Sequence, residues 1–289
     1  MIALLLAVCA VGVLVFAIAG GAGVGAGGSR SGGSGAGGSR AGGSHVGGSR
    51  LGVRSPRPEA SPSTPGLTPA PGPASRGPKP ITIGYSVDGR AIRVIVIGDP
   101  RARHPTLVVG CVHGNETAGI AIARRLSAGT SPRGTALWII PDLNPDGVAA
   151  RTRQNAHGVD LNRNFPYGWR SQYAPGDPQY AGPRALSEPE SRLAHALILR
   201  LRPRLAIWFH QPQGLTDRSG GDPRLEQRFA VLSGLPLHQL TRYPGSATTW
   251  QNHRFPDSTA FVVELPPGQP SKAAIDRYAH AVLSLARAA

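Results

Sequence analysis

Apolar and polar positions divide this chain into three unlike stretches. Residues 1–19, MIALLLAVCAVGVLVFAIA, are apolar without a break, long enough for a membrane span and equally like the core of a signal peptide. Ala17-Ile18-Ala19 is a small-x-small pattern of the kind a signal peptidase cuts, although the usual basic flank before the apolar core is missing. Residues 20–80 show no apolar periodicity. From Ala26 to Arg50 a five-residue unit repeats as AGGSR, SGGSG, AGGSR, AGGSH and VGGSR, too polar and glycine-rich to bury anything. Residues 55–80 are proline-rich and predict a stiffer, extended spacer. The stretch 20–80 is therefore expected to be a disordered linker.

From residue 81 to 289 the pattern is that of a globular domain. Short β-branched runs bounded by Gly, Pro or Asp predict strands at Ile81–Tyr85, Ala91–Gly98, Thr106–Val112 and Ala136–Ile140. Thr117–Ala128 and Glu190–Leu201 repeat with the helical period, and Ser187 is placed as N-cap of the second helix. Glu188, Pro189 and Glu190 then fall in its first turn, where the helix dipole favours carboxylates. Leu205–Phe209 and Ala260–Val263 predict further strands, and Ser271–Arg287 a closing helix. Strands alternating with helices predict an α/β fold with helices on both faces of the sheet. Such sheets bind ligands beyond the carboxyl ends of their strands.

Composition shortens the folded part. Of 289 residues 39 are glycine and 28 proline, and they crowd into the first 80, which leaves one domain of about 200 residues. Two cysteines, Cys9 and Cys111, exclude a disulfide scaffold and a cysteine-rich zinc site. Cys9 lies in the apolar run, which argues against a Cys9–Cys111 bridge, and Cys111 reads as a small buried hydrophobe. The formal charge is +15, nearly all of it from arginine. No run of four basic residues and no basic stretch interleaved with aromatics occurs, so no specific nucleic-acid partner is expected. Association with anionic cell-wall polymers remains compatible with this charge.

The expected strand ends carry the candidate chemistry. His113-Gly114-Asn115-Glu116 follows one apolar strand, His210 another, and Glu264 ends a third. Two histidines and one carboxylate leave zinc an open position for water, and a further glutamate can take that water's proton. Each piece alone also fits a hydrogen-bonded core histidine or a surface turn. Between them lie Pro141-Asp142-Leu143-Asn144-Pro145-Asp146-Gly147 and the run from Arg151 to Pro166, RTRQNAHGVDLNRNFP.

Taken in order, HGNE, NPDG, GVDLNRNFP, the SEPES helix start, the strand-end histidine and VVEL resemble the zinc metallocarboxypeptidases, the carboxypeptidase A-like family, over residues 81–289. The resemblance implies a mixed central sheet. It also implies one Zn2+ per chain, held by His113, Glu116 and His210, with Glu264 as general base. Arg153 would stabilise the oxyanion, with Arg151 as its rival for that role. Asn162 and Arg163 would grip the substrate's free carboxylate, and Asp160 would orient His113. Tyr243 falls where the family carries a tyrosine that covers the substrate, in surroundings unlike those of the digestive enzymes. The PGS…W segment and the HQPQG stretch around His210 resemble the family's bacterial murein peptide amidases, which cleave the γ-D-glutamyl–diaminopimelate bond. Gly245 to Trp250 would then help line the specificity pocket.

The implied function is zinc-dependent hydrolysis of an amide next to a free carboxylate, in murein peptides. Alternatives are a general peptide carboxypeptidase, an N-acylamino-acid deacylase and an inactive wall-binding module. The expected location is outside the cytoplasm, secreted or tethered at the cell envelope, with membrane contact only through residues 1–19.

Overall fold

A computed structural model of the chain describes residues 78–289. The expectations for the apolar run 1–19 and for most of the linker 20–80 lie outside the described residues. In chain order the elements are β1 (Ile81–Tyr85), β2 (Ala91–Gly98), β3 (Pro105–Val109), α1 (Ala118–Ser127), β4 (Ala136–Ile140), α2 (Pro145–Ala150), a 3-10 turn (Leu161–Arg163), α3 (Pro189–Leu201) and β5 (Leu205–His210). They continue with β6 (Leu215–Asp217), α4 (Pro223–Ser233), β7 (Leu237–His238), α5 (Ala247–Arg254), β8 (Thr259–Glu264) and α6 (Lys272–Ala286).

One sheet of eight strands runs in the order β1-β2-β4-β3-β5-β8-β6-β7. Its centre, β4-β3-β5-β8, is parallel, while β2 joins β4 and β6 joins β8 antiparallel, which makes the sheet mixed as expected. The four central strands are buried along their whole length. Strands covered on both faces read as continuous apolar runs for this reason.

Side chains alternate between the two faces of each strand. Leu205, Ile207 and Phe209 of β5 join one core, with α1, α4 and α6. Ala206 and Trp208 join the other, with α3, α5, Leu161 and Phe165. The same alternation puts His210 and Glu264 on the second face, at the carboxyl ends of β5 and β8. There the cover of helices gives way and a polar side chain can be kept.

Two local expectations need correction. The strand expected to reach Val112 leaves the ladder after Val109. Residues 110–112 bend toward Pro141–Leu143 instead, with Gly110 N donating to Ile140 O and Leu143 N to Cys111 O, each at 2.9 Å. That bend carries His113 over the end of the sheet. Ser187 is not the N-cap of α3; Glu188 is, because Pro189 takes the first helical position, where its missing N–H costs nothing. Ser187 Oγ instead donates to Glu188 Oε1 at 2.7 Å and accepts from Asn164 Nδ2 at 2.9 Å. Helices α2, α4 and α5 and strands β6 and β7 were not anticipated. Among the described residues no helix is long and apolar enough to cross a membrane.

Candidate metal centre

The turn between β3 and α1 sets the first two candidate ligands. Glu116 N donates to His113 O at 2.9 Å, folding the His-x-x-Glu stretch back so that both side chains face one point. The turn is pressed against the start of α2. A Cβ on Gly114 would lie 1.9 Å from the carbonyl carbon of Gly147, so only glycine allows this approach. Asn144, buried before α2, ties the pieces together. Its Nδ2 donates to Val112 O at 3.1 Å and to Arg153 O at 3.3 Å, and its Oδ1 accepts from Gly147 N at 2.9 Å.

His113, Glu116 and His210 converge, each buried, with their ligating atoms within 4.8 Å of one another. His113 Nδ1 lies 2.9 Å from Glu116 Oε1 and 3.2 Å from His210 Nδ1, and His210 Nδ1 lies 3.0 Å from Glu116 Oε2. The other nitrogen of His113, Nε2, is 2.9 Å from Asp160 Oδ1. A neutral His113 that donates there presents a lone pair at Nδ1, directly facing a carboxylate oxygen. In that tautomer a cation between Nδ1 and Glu116 Oε1 satisfies both acceptors. The edges of a tetrahedron with ~2.05 Å bonds are about 3.3 Å, close to the separations seen. The residues therefore fit zinc.

Asp160 is fully buried and caps the 3-10 turn through Asn162 N at 2.9 Å. It also accepts from Arg153, at 3.0 Å from Nε and 2.9 Å from Nη2. Burial works to raise its pKa, but His113 and Arg153 overcome that and hold the carboxyl well below the usual range. Arg153 Nη1 further lies 3.0 Å from Glu116 Oε1. Arg151 is exposed, in the left-handed region at φ 57, as the C-cap of α2. Of the two rival arginines, Arg153 is the one at the cage.

Glu264 is the direct cross-strand neighbour of His210 in the parallel pair β5–β8, which puts their Cα atoms about 4.8 Å apart. It is buried, and its Oε2 has no hydrogen-bond partner among the described residues. Burial raises its carboxyl above the usual value, only partly opposed by His210. A cavity of about 680 Å³ opens over these groups, lined by His113, Glu116, His210, Arg153, Asn162, Arg163, Tyr243 and Glu264. All candidate site residues but Asp160 thus share one wall or another of a single cavity, and Asp160 stands directly behind His113.

Residues 78–215 match the family model of zinc carboxypeptidase. Murein peptide amidase A of Vibrio campbellii is 33% identical over 181 residues, 56% of this chain and 69% of that protein. The chain belongs to the zinc carboxypeptidase family. Murein peptide amidase A of Escherichia coli K12 is 31% identical over 165 residues, so that this chain spans 66% of that relative's length. Among solved structures, the murein-tripeptide amidase of Escherichia coli O157 superposes with a TM-score of 0.59 at 27% identity, over 73% of this chain and 92% of the other. Carboxypeptidase A of Helicoverpa armigera shares the fold, with a TM-score of 0.63 at 20% identity over 74% of this chain and 69% of the other. The family is one of zinc carboxypeptidases, and His113, Glu116 and His210 form a site that fits that metal.

Arg163 is buried and donates from Nη1 to Asn162 O at 2.9 Å, while its Nε has no partner among the described residues. Its guanidinium lies 4.1 Å from the centre of the Tyr243 ring. Asn162 Oδ1 accepts from Ala247 N at 3.0 Å, locking the 3-10 turn to the start of α5. Gly245 permits that junction: at φ 74, a Cβ there would lie 2.1 Å from Arg163 O.

The segment Gly245–Trp250 only partly meets the expectation placed on it. Ser246, Thr248 and Thr249 line the cavity. Trp250 does not; it belongs to the core, with its ring centroid 5.6 Å from that of Phe165. Cys111 is buried, as expected, and forms no disulfide among the described residues, with Sγ 3.1 Å from His113 O. Sequence reasoning missed Gln211, whose Oε1 accepts from Ala118 N at 3.0 Å while its backbone N donates to Glu116 Oε2 at 3.2 Å. Its place beside His210 in HQPQG was the available signal. It also missed Asp217 and Arg242, which carried none.

Proposed function

We propose that this chain hydrolyses the amide bond next to a free carboxylate in murein peptides, of the γ-D-glutamyl–diaminopimelate type, at the cell envelope. The single observation that carries the chemistry is Glu264 beside the His113–Glu116–His210 cage, at the wall of a cavity that also holds the buried Arg163. The substrate class is supported by the murein peptide amidases among the relatives. The apolar start of the chain and the glycine- and proline-rich stretch behind it support the location.

His113, Glu116 and His210 would hold zinc, which when bound supplies Lewis-acid polarisation of the scissile carbonyl and activation of water. Arg163 and Asn162 would receive the substrate's carboxylate. A buried guanidinium whose Nε–H is unpaired among the described residues is a ready partner for an anion, and it lies against the Tyr243 ring. That contact sets the scissile amide between Arg153 and Glu264. Glu264, with its pKa raised by burial, would take a proton from the attacking water and pass it to the leaving amine. Arg153, steered by Asp160, would place positive charge beside the carbonyl oxygen as that oxygen becomes negative.

The test incubates the full chain with zinc and L-Ala-γ-D-Glu-diaminopimelate, and separately with all-L peptides, with and without chelator. Release of diaminopimelate alone, abolished by chelator, is the expected outcome. Release of C-terminal residues from the all-L peptides instead would move the substrate to proteins and overturn the murein assignment.

A further inference from the structure

The cavity holds one ion pair that the chemistry above does not use. Asp217, the last residue of β6, is buried, and Arg242 Nη1 lies 2.6 Å from its Oδ2. Both residues line the same cavity as the metal cage. Their position follows from the sheet. β6 runs antiparallel to β8, with Leu215 opposite Glu264 and Thr216 opposite Val263. Continuing that register sets Asp217 opposite Val262, on the face Glu264 shares, about 7 Å further along the strand.

Which partner of the pair is open to a ligand decides its meaning. The Asp217 oxygens are already engaged: Oδ1 accepts from Leu240 N at 2.8 Å, and Oδ2 accepts from Ser219 Oγ at 2.5 Å as well as from Arg242. An arginine has five N–H donors in a planar fork. Arg242 uses only Nη1 among the described residues, and its side chain is 33% exposed. The pair therefore presents donors to the cavity, on a cation held in place by a buried carboxylate. A pocket built to take a lysine-like ammonium would offer the carboxylate instead.

We infer that Arg242, positioned by Asp217, is a specificity-determining residue that binds a carboxylate on the side chain of the residue released by hydrolysis. The inference rests on the amide-hydrolysis reading given above. The α-carbon of that residue carries the scissile amide, held toward Glu264, and the free carboxylate, held by Asn162 and Arg163. Its side chain is left to enter the remaining space, walled by Val262, Thr248 and Arg242. Arg242 lines the same cavity as Arg163, whose guanidinium lies against Tyr243, so both cations face one space. A diamino diacid such as diaminopimelate carries a distal carboxylate at the end of such a side chain; lysine carries none. The arrangement selects the former.

The test compares kcat/KM of the full chain on L-Ala-γ-D-Glu-meso-diaminopimelate, on the same peptide amidated at the distal carboxylate, and on L-Ala-γ-D-Glu-L-Lys. The wild type is expected to prefer the diacid, and Arg242→Ala to lower kcat/KM on it by about 10- to 100-fold, mainly through KM, so that the preference collapses. Arg242→Lys restores part of the preference, since it keeps the charge without the fork. Zinc content and melting temperature establish that the variants are folded. Equal wild-type rates on all three peptides, or an Arg242→Ala loss equal on all three, would overturn the assignment of Arg242 while leaving the amide-hydrolysis reading intact. Zinc-loaded wild type that cleaves none of the three overturns the murein reading itself, and this inference with it.

Discussion

Asp160→Asn removes one charge from behind the metal cage and changes almost no volume. Asp160 accepts from His113 Nε2, Asn162 N and Arg153 Nε at 2.9–3.0 Å, and Arg153 Nη2 pairs with it at 2.9 Å. An asparagine has one acceptor oxygen and one donor nitrogen. Whichever way the amide turns, its NH2 group opposes either Arg153 or the His113 and Asn162 donors. If it faces Arg153, a charge-assisted bond worth about 1.5–3 kcal/mol is lost inside the protein. If it faces His113, the imidazole loses the partner that fixes its tautomer. The loss in zinc affinity for such a partner is about 10- to 100-fold, or about 1.4–2.7 kcal/mol. Competition with a chromogenic chelator measures the zinc Kd directly, and melting curves with and without zinc give an independent reading. The expected result is a zinc Kd raised at least about tenfold, with a smaller gain in melting temperature on adding metal. A Kd within about twofold of wild type would refute the view that Asp160 orients His113 for metal.

Three further perturbations follow from the geometry. Glu264→Gln keeps shape but not basicity, and is expected to leave zinc stoichiometry unchanged while kcat falls by about 10²- to 10⁴-fold; wild-type turnover in that variant would remove Glu264 from the reaction. Gly245→Ala places a Cβ 2.1 Å from Arg163 O at a positive φ. It should cost about 2–4 kcal/mol and about 5–10 °C in Tm, checked by thermal unfolding. Burial pushes the Asp142 carboxyl up to about 6, against the opposing bond from Asn144 N. The folded state therefore binds the extra proton, and stability falls as pH rises from about 3.9 through about 6, by up to about 3 kcal/mol, then levels off. Asp142→Asn should abolish that slope and be the more stable form near pH 8, which urea unfolding at about pH 5 and about pH 8 would show or refute.

Much of the fold follows from local rules. β1, β2 and β4 lie where short β-branched runs and their bounding turn residues put them, because both signals act within a few residues. The cage was equally legible, since His113 and Glu116 share one turn and His210 is the first polar residue after an apolar run. Helix α4 carries its own signals in Asp222, Pro223 and Gly234, and α5 in Ser246, so these were missed rather than hidden. Other features depend on tertiary contacts. That Arg153 and not Arg151 serves the cage is decided by the left-handed C-cap of α2, which turns Arg151 into solvent and brings Arg153 back under Asp160. The meeting of Asp217 with Arg242 is likewise invisible in the chain, because 25 residues separate them and only the pairing of β6 with β8 brings the carboxylate into the cavity. Sequence alone determines which residue types can do the chemistry and on which strand ends they sit, since propensity and period act within a few residues. The tertiary structure alone decides which of them share a wall and which atoms are left without a partner, since burial and hydrogen-bond satisfaction are properties of the packed whole.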